Sequence, residues 1–82
     1  MDGQLTFRYM IDGDDFTRAG EASSSVKNKL KMLGLSTDVI RLVAIAMYEG
    51  EINMVIHADG GRITVTVSDT EITMVQIGRA HV

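Results

Sequence analysis

Between Ser36-Thr37-Asp38 and the break at Asp59-Gly60-Gly61 the chain carries one helical segment of roughly six turns, and this segment decides what the chain can fold into. Its first half, Val39 to Met47, is apolar on nearly every face apart from Arg41. A helix of that kind needs cover on several sides, so it is expected to lie centrally, packed on a sheet and beside a second helix. Ser36, Thr37 and Asp38 supply side-chain oxygens for the free N–H groups of its first turn.

The flanking sequence supplies both partners. Gln4 to Ile11 alternates, with Leu5, Phe7 and Tyr9 on one face and Thr6, Arg8 and Met10 on the other, which predicts a strand. Asp12-Gly13-Asp14-Asp15 breaks it and leaves acidic groups where a helix can begin, near Phe16. From there Phe16, Ala19, Ala22, Val26, Leu30 and Leu33 recur at three- and four-residue intervals, and Gly34 closes the helix. Arg62 to Ser68 and Glu71 to Gln76 alternate with period two. A turn at Asp69-Thr70 pairs Val67 with Ile72, Thr66 with Thr73 and Val65 with Met74, although Asp-Thr is poor two-residue hairpin chemistry. The order strand, helix, helix, strand, strand predicts an α+β fold, a two-layer sandwich with both helices on one face of the sheet.

Composition narrows the function classes. A net charge of −3 counts against nucleic acid or an anionic membrane as the main partner. With no cysteine there is no disulfide, thiolate metal site or cysteine nucleophile, which suits a reducing cytosol. The N-terminus lacks signal-peptide order, and the longest apolar run, Leu42 to Tyr48, is far short of a membrane span. A cytoplasmic location is expected. The lysines at 27, 29 and 31 could meet an acidic partner or form an ordinary solvated face. Ser23-Ser24-Ser25 reads better as small residues for close helix packing than as a modification site.

The chemistry-bearing pattern lies in the second half of the long helix. Glu49, Asn53 and His57 stand at i, i+4 and i+8 and share a face over about 12 Å. Buried without partners they would be costly. Either they line a cleft and meet a polar ligand, or they form a solvated face, which is the commoner meaning of such spacing.

The stretch Ala46 to Gly61, AMYEGEINMVIHADGG, resembles the N box of GHKL-type, Bergerat-fold ATPases, in which a Glu precedes an Asn by four residues on a core helix. Glu51 two before that Asn, His57 four after it, and an upstream Ala19-Gly20-Glu21-Ala22-Ser23-Ser24 with Val26-Lys27, Leu30 and Leu33-Gly34 are similar to the small anti-sigma regulatory serine/threonine kinases. The likeness runs from about residue 4 to residue 75. It implies the N-terminal part of a histidine-kinase-like ATP-binding domain over residues 1–76, in a cytoplasmic bacterial protein that binds ATP and Mg²⁺. It also implies that Glu49 is the catalytic base, that Asn53 is the Mg²⁺-ATP ligand, and that His57 lies near the phosphates. Glu51 is a rival base that points to another side of the helix. The implied partner is a protein, a sigma factor or an anti-anti-sigma-like substrate, and a homodimer is allowed. A non-catalytic, ATP-gated regulator that sequesters such a partner is the alternative to a kinase, and a small α+β interaction domain is a third reading.

The family pattern stops after Val75, where an Asp-x-Gly-x-Gly adenine box would follow. Ile77-Gly78-Arg79-Ala80-His81-Val82 instead resembles the translation of a sequencing-library adapter, so residues 77–82 are expected to be a non-native tail. Without that box, this stretch is expected to bind ATP poorly.

Overall fold

The computed structural model describes residues 3–79, apart from the Phe16 side chain. Strand β1 (Leu5–Asp12) leads through a 3₁₀ turn at Phe16–Arg18 to helix α1 (Glu21–Met32). Helix α2 (Thr37–Ile56) and strands β2 (Gly60–Val67) and β3 (Ile72–Gly78) follow. The three strands form one antiparallel sheet in the order β1-β2-β3. This is a small α+β domain, with both helices supplied between the first two strands.

Sheet register follows the alternation of the sequence. Val65 faces Met74, Thr66 faces Thr73 and Val67 faces Ile72. On β1, Phe7 opposes Val65 and Tyr9 opposes Ile63. Ile63, Val65 and Val67 are buried with Ala22, Val26 and Leu30 from α1 and Ile40, Met47 and Met54 from α2. Phe7, Tyr9, Ile11, Ile72 and Met74 pack against that cluster, so the alternate residues of every strand serve one core. The expected Asp69-Thr70 turn forms without positive φ. The Ser68 hydroxyl compensates by accepting from the N–H of Thr70 (3.3 Å) and of Glu71 (3.1 Å), while Ser68 N donates to Glu71 O at 2.9 Å.

Helix ends are closed by local chemistry. Ser36 Oγ accepts from Val39 N at 3.3 Å. Gly34 sits at φ 80°, its N–H donating to Lys31 O and that of Leu35 to Leu30 O, the paired bonds of a glycine C-terminal cap.

Three features differ from the sequence expectation. The first helix does not run unbroken from Phe16. Asp15 Oδ1 accepts from Thr17 N (3.1 Å) and Thr17 Oγ1 (2.6 Å), which holds a 3₁₀ turn, and Gly20 at φ 101° interrupts the chain before α1 begins. The second difference concerns the cover of α2. Leu42 is 69% exposed and Ile45 50%, because α1 and the sheet cover only two of its sides. The third is β3, which runs to Gly78, two residues beyond Gln76, pairing Ile77 with Arg62 and Gly78 with Gly61. Residues 80–82, including His81, lie outside the described residues.

Candidate functional site

Helix α2 sorts its polar residues onto opposite sides. Ile40, Met47, Glu51 and Met54 follow at i, i+7, i+11 and i+14, so Glu51 lies in line with the buried apolar stripe. It is 1% exposed. Its carboxylate accepts three backbone N–H groups at the start of α1: Gly20 (2.8 Å) and Ala22 (3.3 Å) on Oε2, and Ser23 (2.8 Å) on Oε1. Helix α1 has no capping side chain of its own, since its N-cap is Gly20. Glu51 therefore caps it from the neighbouring helix, placing negative charge at the positive end of the α1 dipole. The Ser23 hydroxyl completes the knot by donating to Gly20 O at 3.0 Å. Glu51 thus faces the interior, away from the stripe on which Glu49 stands.

Glu49, Asn53 and His57 share the outer flank and are all exposed. They are open to solvent, and among the described residues none makes a side-chain hydrogen bond. Their position is nevertheless specific. Ala46, Gly50, Asn53 and His57 stand at i, i+4, i+7 and i+11, one continuous row. The Gln76 side chain reaches the first two residues of that row: its Nε2 donates to Ala46 O (3.3 Å), and its amide lies against buried Gly50. The row continues to Asn53 and His57, which are exposed.

The other polar residues divide by task. Lys29 stands over the Phe7 and Tyr9 rings, its Nζ 4.8 and 5.0 Å from the centroids, and is committed to the sheet side. Lys27 and Lys31, one turn apart, face a groove between α1 and α2. Ser25 Oγ and Tyr9 Oη lie 3.1 Å apart, which with buried Ser23 fits the packing reading of the serine run. Arg18 pairs with Glu21 at 3.0 Å, and that hydrogen bond and charge raise the guanidinium above its ordinary pKa.

The stripe offers one carboxylate, one amide and one imidazole to solvent along a single flank. Asn53 offers a single amide oxygen, which suits Mg²⁺, an ion that takes most of its ligands from water and phosphate. Among the described residues no cluster of three or more His, Asp or Glu could hold a metal by itself. No described helix is long and apolar enough to cross a membrane. Comparison with family models, curated proteins and solved structures finds no match.

Sequence reasoning passed over Glu51 as a structural residue. The signal was present in two places: its alignment with Ile40, Met47 and Met54, and the absence of a capping side chain ahead of Glu21-Ala22-Ser23.

Proposed function

We propose that this chain carries the base-and-metal helix of a histidine-kinase-like, GHKL-type ATP-binding domain. On this reading it comes from a cytoplasmic regulator of the anti-sigma serine/threonine kinase kind, acting on a protein partner. The observation that supports this is the placement of Glu49 and Asn53, one turn apart, on the exposed flank of α2, with His57 a further turn along it. In such a domain Asn53 would hold Mg²⁺ and Glu49 would orient or deprotonate the attacking hydroxyl, with His57 near the phosphates. The bound nucleotide would supply the transferable phosphoryl group.

The described residues furnish only one wall, so weak affinity is expected, on the order of millimolar. Titration of ¹⁵N-labelled chain with Mg-ATP tests this. Shifts confined to Glu49, Asn53, His57 and their helical neighbours, lost in Asn53→Ala, support the reading; scattered shifts indifferent to that change overturn it. The source DNA beyond Val75 is a second check, since an Asp-x-Gly-x-Gly box there is expected and its absence from the gene removes ATP from the account.

The exposed apolar face of α2 favours a second reading, a non-catalytic ATP-gated regulator that sequesters its partner. Glu49→Ala separates the two: a kinase loses phosphate transfer with nucleotide binding retained, whereas a sequestering module regulates unchanged.

A further inference from the structure

We infer that the groove between α1 and α2 is a docking site for an acidic amphipathic helix of a partner protein. This goes beyond the ATP reading and does not depend on it, because the groove opens on the α1 side of α2 and shares only Glu49, at its rim, with the polar stripe.

The floor is apolar, formed by Leu35, Ile40, Ala44 and Ile45, with Tyr48 at one end beside Gly20. Ile45 and Tyr48 are half exposed. Leaving such side chains wet forfeits the gain of burial, and a contiguous apolar strip of this kind marks an interaction surface. The rims are basic, with Lys27 and Lys31 on α1 and Arg41 on α2 against the single carboxylate of Glu49. None of these three cations makes an ion pair or ring contact among the described residues, although Arg18 and Lys29 nearby are both engaged.

A chain of net charge −3 has thus gathered three free cations around one apolar trough. Complementarity calls for an occupant that is apolar along its centre and acidic on both edges. Length suits a helix, since the groove runs along α2 from Thr37 to Glu49, roughly 18 Å or three turns. Lys27 and Lys31, spaced i and i+4, match acidic residues spaced one turn apart on the partner.

A second copy of this chain is a poorer occupant, because α1 is edged by lysines and the exposed apolar face of α2 carries Arg41 beside Asp38 and Glu49, which would set cation against cation at the rims. Nucleic acid lacks the apolar centre that the floor requires.

The test is fluorescence anisotropy with a labelled 18-residue helical peptide bearing a leucine stripe flanked by glutamates. The same peptide with lysines for the glutamates, and anionic lipid vesicles, serve as competing probes. The glutamate peptide is expected to bind with Kd on the order of 10 µM and to weaken as salt rises. Reversal of both rim lysines, Lys27→Glu with Lys31→Glu, should weaken it about tenfold or more. Ile45→Ser should weaken it with little effect on the salt dependence, and Arg62→Glu on the open sheet face should leave it unchanged. These are exposed positions, and circular dichroism verifies that each variant folds. Equal binding of the lysine peptide, preference for vesicles, self-association at the concentrations used, or indifference to the rim reversals would each overturn the inference.

Discussion

Glu51 offers the sharpest physical test, because one side chain replaces the missing cap of a helix. Glu51→Gln keeps size and shape but removes the charge and turns one of two acceptor oxygens into a donor. The carboxylate holds the N–H groups of Gly20 and Ser23 at 2.8 Å on separate oxygens, with Ala22 at 3.3 Å. Glutamine can serve one oxygen's partners and sets an NH₂ against the other's. A lost charge-assisted bond at a buried site costs about 1.5–3 kcal/mol, and weaker interaction with the helix dipole adds a few tenths or more, so about 2–3 kcal/mol is expected. A domain of this length has roughly 4–12 kcal/mol in total, and each kcal/mol moves Tm by about 4–8 °C. The melting temperature followed by circular dichroism should therefore fall by about 10–20 °C. Hydrogen exchange should show the Gly20, Ala22 and Ser23 amides losing protection first. Glu49→Ala, on the exposed flank, should stay within about 0.5 kcal/mol of the parent. If Glu51→Gln melts within about 3 °C of the parent, or if the Glu49 and Glu51 variants are equally stable, the capping account is wrong.

Other outcomes follow from the same geometry. Gly20→Ala should cost about 1–2 kcal/mol by urea midpoint, since φ is 101° and the new Cβ would stand 3.3 Å from Tyr48 Cε1. Gly34→Ala, at φ 80° with open space around it, should cost only about 1 kcal/mol. Leu30→Ala, at a fully buried position, should cost about 2–5 kcal/mol and leave a measurable unfolded fraction in urea titration. Ser68→Ala should cost about 0.5–1 kcal/mol through loss of the Thr70 and Glu71 bonds, and a further Asp69→Asn, Thr70→Gly change should recover it in Tm by supplying a favoured hairpin turn.

Periodicity made the sheet legible, because a single residue of slip would turn Val65 and Val67 outward and Thr66 inward. The burial preference therefore fixes the pairs Val65–Met74 and Val67–Ile72. Ser36 and Gly34 were legible for a similar reason: each acts within one turn of its own position. The 3₁₀ break before α1 was not, since it rests on Gly20 adopting positive φ against a carboxylate 31 residues away. Nor was the exposure of Leu42 and Ile45, because hydrophobicity records that a face gains by being covered and says nothing of which element covers it.

The site divides along the same line. Helical spacing alone places Glu49, Asn53 and His57 on one flank, but whether that flank is a cleft depends on what stands opposite, which no spacing within α2 encodes. What spacing does encode is the relation of the two carboxylates. Glu49 and Glu51 are two residues apart, so they project roughly 200° apart around the axis. One faces water beside Asn53 while the other is 1% exposed and tied to α1. Because both grow from the same turn of helix, the Glu51 knot sets how α2 lies against α1, and with it the width of the groove bounded by Lys27 and Arg41. Loosening the knot should therefore disturb peptide docking before it disturbs anything at Asn53, which projects roughly 200° around the axis from Glu51 and is exposed.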